Sequence, residues 1–280
     1  MFATVETNGC KLHYKVEGTG EPAVFIQGVG VHGDGWLPQT QELKAKFRCV
    51  TFDNRGMGLS QPSGCALTVA QMAEDALTVM DSVGIDSAHL AGHSLGGAVA
   101  LETALLARDR VRSLALLCTS ARGSDATRPT PKMVWLGLRS RVGTRRMRSN
   151  AFLEIVMPPE YLSAHDRGAL AKHLQPLFGH ALCDTPDIVM PQLKALKEFN
   201  REQRLDQLIG IPTLVLSTAH DLIFPPNCGQ RLASAIPGAR YVEIANAAHG
   251  VTLQSPEVIN HLLLEHFTSV HAQTAASKGA

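Results

Sequence analysis

Gly92-His93-Ser94-Leu95-Gly96 sets a serine between two glycines, after a short apolar run and before an alanine-rich one. If the first run is a strand and the second a helix, the tight turn between them exposes Ser94 at the carboxyl edge of a sheet. Glycines at 92 and 96 remove side chains that would clash in such a turn, and Gly97 lets helix and strand pack closely. The helix N-terminus beneath Ser94 favours negative charge there. A serine hydroxyl attacks well only when a base takes its proton, and that base needs a carboxylate to hold its tautomer. Asp221 lies just past the apolar run PTLVLS, and His249 just past RYVEIA. Ser94, Asp221 and His249 therefore read as nucleophile, acid and base, each after a strand. His220 reads as a bystander, and Glu243, inside a strand, as a poor rival acid.

A second pattern overlaps a different chemistry. In FIQGVGVHGDGW, Gly28, Gly30 and Gly33 have the spacing of a dinucleotide cradle, and Asp53 follows 20 residues after the last glycine. A pyrophosphate, however, needs a helix N-terminus directly at the loop. Gly35 and Pro38 push the helix start away, and Asp53 opens the turn DNRGMGLS instead. The alternative use of such a loop is a backbone N–H offered to a developing oxyanion.

These residues need a scaffold, and the chain supplies a repeating one. FATVE and KLHYKVEG flank Asn8-Gly9 as a hairpin. AVFIQ, RCVTFD, HLAGHS, VRSLALLCT, PTLVLSTAHD and RYVEIA are short apolar runs separated by segments of helical period. That alternation predicts an α/β fold: a mostly parallel central sheet with helices on both faces. The rhythm breaks from Ala121 to about Leu208, where proline-punctuated helical patterns replace strands. The expected organisation is a core of residues 1–120 and 209–270, a helical cap over 121–208, and a frayed tail at 271–280.

With those residues placed, the chain resembles the α/β-hydrolase fold family over nearly its whole length. Besides GHSLGG, the turn FDNRGMGLS is similar to the family's D-x-R-G-x-G-x-S, and AAHG carries its histidine. The stretch from HDLIFPP to NAAHG looks most like the 3-oxoadipate enol-lactonase branch with its cofactorless haloperoxidase and esterase relatives. The resemblance implies a serine hydrolase of small carboxylic esters or lactones, with an acyl-enzyme and without metal or organic cofactor. It implies Val29 and Leu95 as the backbone N–H donors of an oxyanion hole. Gln27 stands where the family has histidine before the loop glycine, which leaves the donor but removes the usual support. The same triad serves carbon–carbon bond hydrolysis and perhydrolysis, and some members of the fold are ligand sensors with vestigial turnover.

Further residues bear on the substrate. Trp36, Trp135, Met133 and Phe224 are candidates for an apolar pocket. Arg139, Arg141, Arg145, Arg146 and Arg148 read as a solvated face, or as recruitment of an anionic lactone. Asp53, Arg55 and His93 read as structural, and His32 as a solvated loop histidine. The net charge of +1 makes no case for nucleic acid or an anionic membrane, leaving a small molecule as the expected partner. No run suits a membrane span or a signal peptide. Six scattered cysteines without a C-x-x-C pair suggest free thiols and a cytoplasmic setting. Oligomeric state is not legible.

Overall fold

A computed structural model of the chain describes residues 2–60, 67–127 and 130–278. Eight strands form one sheet: β1 (Phe2–Thr7), β2 (Cys10–Glu17), β3 (Glu21–Ile26), β4 (Phe47–Phe52), β5 (Ala88–His93), β6 (Val111–Leu117), β7 (Thr213–Thr218) and β8 (Arg240–Ile244). Their spatial order is β1-β2-β4-β3-β5-β6-β7-β8. The β1–β2 hairpin turns at Asn8-Gly9 and joins the sheet antiparallel to β4. All remaining pairs are parallel. Parallel pairing puts the loops after β3, β5, β7 and β8 at one edge, and those loops carry Gly28, Ser94, Asp221 and His249.

Helices α1 (Leu37–Leu43), α2 (Val69–Ser82) and α3 (Leu95–Leu106) precede a gap in the strand rhythm. α4 (Pro131–Arg139), α5 (Arg145–Val156), α6 (Pro159–Ala164), α7 (Arg167–Phe178) and α8 (Val189–Glu198) fill that gap, between β6 and β7. α9 (Pro226–Ala235), α10 (Val251–Gln254) and α11 (Pro256–Lys278) follow. The central strands are buried on both sides, which explains their unbroken apolar sequences. Val24, Ile26, Leu90, Leu114 and Val215 point to the face covered by α2, α3 and α9. Ala23, Phe25, Ala91, Ala115 and Leu214 alternate onto the face covered by α1 and α11. α3 is buried along all ten residues from Leu95 to Ala104, so its apolar residues lie all round rather than in a stripe, and its one buried carboxylate, Glu102, accepts from Arg201.

The five inserted helices have a core of their own around Leu153, Leu174 and Phe178. The side chains of Thr130, Thr144 and Asp166 cap α4, α5 and α7, each accepting the N–H three residues on. α11 runs on to Lys278, through a stretch whose sequence reads as a tail from residue 271. Alanine-rich composition lets that helix propagate.

The turn after β4 is structural, as Asp53 and Arg55 suggested. Asp53 Oδ1 accepts the Gly33 N–H (2.8 Å) and Oδ2 the Leu59 N–H (3.1 Å), so both oxygens serve the backbone. The Arg55 guanidinium donates to Asp75 of α2 from Nε (2.6 Å) and Nη2 (2.5 Å), with both residues almost fully buried. Removing one member of such a pair strands a charge in the interior. Asp75→Ala is expected to lower unfolding free energy by about 3–5 kcal/mol. Urea unfolding would measure it, and a loss below about 1 kcal/mol would mean that water or another group compensates Arg55.

Candidate active site

Ser94 sits at the turn between β5 and α3 with φ 56° and ψ −120°, outside the helical and extended regions. Its surroundings determine that conformation. The Ser94 N–H donates to Leu117 O (2.9 Å), and Thr119 Oγ1 donates to Ser94 O (2.8 Å). A Cβ on Gly96 would lie 2.0 Å from Ile26 O, and one on Gly92 would lie 2.2 Å from Gly96 O. A Cβ on Gly97 would meet Thr119 at 2.6 Å. The glycines of the motif are therefore required by clearance, which holds α3 tightly against β3, β5 and the end of β6.

Asp221 and His249 meet across the loops after β7 and β8. His249 Nδ1 donates to Asp221 Oδ2 at 2.8 Å, which leaves Nε2 as the accepting nitrogen. Asp221 Oδ1 accepts the N–H groups of Ile223 (2.8 Å) and Phe224 (2.9 Å), so the carboxylate is fully occupied. The two loops are tied by the His220 N–H, which donates to Ala247 O (3.0 Å). His220 itself is exposed, and Glu243 turns outward to Tyr241 and Gln230. His93 Nε2 donates to His249 O (2.8 Å), fixing the base loop from inside the elbow. Burial pushes the His93 imidazole down to about 3, so it remains a neutral donor.

The loop after β3 lies against the elbow: a Cβ on Gly28 would be 3.1 Å from Ser94 Cβ. Gln27 supplies the support that its position seemed to lack. Its Oε1 accepts the Gly28 N–H (2.8 Å), while its carbonyl accepts from Asn54 Nδ2 (2.8 Å). Among the described residues, the N–H groups of Val29 and Leu95 take no hydrogen-bond partner. His32 packs on the Gly179 backbone rather than facing this site.

Ser94, His93 and His249 open onto a cavity of about 230 Å³ that also holds Gly28 and Val29. Its other wall comes from the inserted helices: Met133, Phe152, Val156, Met157, Phe178, Leu193 and Leu196. Gln27 and Thr252 add polarity, and among the described residues no lysine, arginine, aspartate or glutamate lines it. A possible metal grouping among the described residues, His93, Cys118 and His249, has its donor atoms within 4.8 Å of one another. Each histidine already uses one ring nitrogen in a hydrogen bond, and burial pushes the Cys118 thiol up, away from the thiolate a metal would take.

A model of the alpha/beta hydrolase family matches residues 23–262. This chain belongs to the alpha/beta hydrolase family. RutD of Caulobacter sp. (strain K31), whose name assigns it carbamate hydrolysis provisionally, is 30% identical over 87% of this chain and 89% of its own. The enol-lactonase from Burkholderia xenovorans LB400 superposes with a TM-score of 0.80, at 26% identity over 95% of this chain and 100% of its own. A thermophilic esterase from Thermogutta terrifontis does so at 0.79 and 26% identity, over 97% and 99%. None of this chain's described helices is long and apolar enough to cross a membrane.

In this hydrolase, several sequence expectations for the pocket need correction. Trp36 is fully buried in the opposite core, beside Phe25. Trp135 is 58% exposed on the outer side of α4, under the Arg139 guanidinium. Phe224 lies stacked against the His249 ring and buttresses the base instead of lining the cavity. Met133 does line it. The arginines stay outside: Arg145 pairs with Asp184, and Arg141 lies on Met190 Sδ. Phe152 and Val156, four apart on α5, and Leu193 and Leu196, three apart on α8, were signalled only by helical spacing. Five of the six cysteines are free and buried, and Cys65 lies outside the described residues.

Buried neutral histidines make this hydrolase acid-sensitive. His93 is pushed down to about 3, and burial beside Leu114 O pushes His266 down to about 4. The unfolded chain protonates both near 6.5, so it binds more protons than the native state below that pH. Stability present above pH 6.5 is thus lost as pH falls, by about 1.4 kcal/mol per pH unit for each residue. Between pH 6 and 4, His266→Gln is expected to show a slope of stability against pH shallower by about that amount. Urea midpoints across that range check it; parallel slopes would mean that His266 charges in the native state.

Proposed function

We propose that this hydrolase cleaves small, uncharged carboxylic esters or lactones through an acyl-enzyme on Ser94. The observation that carries the reading is the Asp221–His249 hydrogen bond at 2.8 Å on the same cavity as a serine of unusual backbone. Ser94 Oγ attacks the carbonyl carbon while His249 Nε2 takes its proton, and Asp221 stabilises the imidazolium. The N–H groups of Val29 and Leu95 receive the negative oxygen. His249 then protonates the leaving oxygen, and a water that it deprotonates releases the acid. The helices between residues 121 and 208 act as the cap, excluding water from an apolar acyl or alkyl group. Free buried thiols support a cytoplasmic location.

The uncharged part of this reading rests on the cavity lining. An unpaired carboxylate moved into such a site costs several kcal/mol, and each 1.4 kcal/mol is a factor of ten. A lactonase or esterase activity carries over from the structural neighbours as a reaction class, whereas an anionic substrate finds no cation among the described lining residues.

Intact-mass labelling with a fluorophosphonate is expected to give one adduct on the wild type and none on Ser94→Ala. Asp221→Asn is expected to lower turnover of a p-nitrophenyl ester by about 10⁴ with the fold intact. A neutral hexanoate ester should exceed its carboxylate-bearing adipate counterpart in kcat/KM by at least about 100-fold. An unlabelled, folded wild type would favour a ligand sensor. Equal rates on both esters would refute the uncharged substrate class alone. Hydrolysis of a ring-fission dienone, or peracid formation from acetate and peroxide, in preference to ester cleavage would reassign the reaction.

A further inference from the structure

Gly30 follows the candidate donor Val29 directly and has φ 69°, and both of its backbone polar groups are held by the inserted helices. Its N–H donates to Oε1 of Gln192 on α8 at 2.9 Å, and Gln192 is fully buried. Its carbonyl accepts from His180 Nε2, just past the end of α7, at 2.8 Å; this is the shorter contact of the ring, the other being 3.0 Å to Ala181 O. A Cβ on Gly30 would lie 2.9 Å from Val189 Cγ2, so α8 closes over the residue with no room to spare.

These contacts bear on the oxyanion donor through the peptide planes. The plane joining residues 27 and 28 is pinned at both ends, by Asn54 on Gln27 O and by Gln27 Oε1 on the Gly28 N–H. The plane joining residues 29 and 30 is pinned by Gln192, and the next one by His180. The Val29 N–H belongs to the plane between residues 28 and 29, caught between those two. Peptide planes are rigid, so with both neighbours held only the dihedrals at residues 28 and 29 could re-aim it. From this we infer that Gln192 and His180 are positioning residues: the inserted helices aim the Val29 N–H at the developing oxyanion. The inference rests on the hydrolase reading above and adds to it a role for the cap in the chemical step.

The expected signature lies in kcat. An interaction that matters only in the transition state lowers kcat and kcat/KM together, whereas lost substrate contact raises KM. Loss of a whole oxyanion donor costs about 10²–10³, so a misaimed one should cost about tenfold. Gln192→Met conserves volume and removes the acceptor; His180→Leu removes the donor. Each is expected to lower kcat about tenfold on a neutral p-nitrophenyl ester, with KM within about twofold, and to slow fluorophosphonate labelling of Ser94 in proportion. His180→Gln, which keeps an N–H donor at similar reach, is expected to recover most of the loss. Thermal unfolding of all three variants identifies any that are merely unfolded. Wild-type kcat and labelling rate in folded Gln192→Met and His180→Leu would overturn the clamp, as would a loss confined to KM or a failure of His180→Gln to recover. A wild type with no Ser94-dependent labelling would instead overturn the hydrolase reading, and the clamp with it.

Discussion

The chemistry proposed for this molecule depends on one backbone constraint: Ser94 held at φ 56° and ψ −120° between a buried strand and a buried helix. An isolated residue in such a conformation carries a cost of order 1–3 kcal/mol. The surrounding structure overcomes it because nothing near Ser94 can relax independently. β5 is buried throughout, α3 is buried for its first ten residues, and Gly92, Gly96 and Gly97 bring them within contact of main chain and Thr119. Rotating Ser94 into a helical conformation would pull its N–H from Leu117 O and its carbonyl from Thr119. The strain and the close packing therefore require each other.

The parallel sheet builds a site around that one serine. Each crossover returns the chain to the same edge, so residues 127 and 155 positions beyond Ser94, Asp221 and His249, arrive beside it without a special fold of their own. Their loops are then joined to each other through His220 and Ala247, to the elbow through His93, and to α5 through the Gly250 N–H on Val156 O. The tether through His93 is buried, where charges and dipoles act more strongly than in solvent. An Asp221 carboxylate with both oxygens occupied cannot swing away from the imidazole at small cost.

Legibility in the sequence followed the range of the interactions involved. The turn at Ser94 was readable because its glycines and serine are neighbours, and the pairing of Asp221 with His249 because each directly follows an apolar strand. The central strands were readable from runs buried on both faces, and β1 and β2 from the Asn8-Gly9 turn between them. Pocket walls were not, since the facing of a side chain on an inserted helix is settled by helices remote in sequence. Trp36 and Trp135 show the difficulty from opposite sides: one turned into the far core, the other out onto α4. Both have the chemistry of a pocket residue and neither the position. Gln27 was visible as a departure from the family's histidine, but its use, a side-chain oxygen on the very next N–H, appears only in the coordinates.

The inserted helices meet the core at two kinds of contact, and these have different consequences for how such an enzyme could change. Phe152, Phe178 and Leu193 touch the cavity, so altering them changes which groups fit. Gln192 and His180 touch the Gly30 backbone, where no substrate group is discriminated. Because α8 carries Leu193 and Gln192 side by side, a shift of that helix to accommodate a larger substrate also moves the loop after β3. On the proposed reading, binding and catalysis are then coupled through one rigid element, and uniform substrate binding cannot be improved there without affecting the transition state.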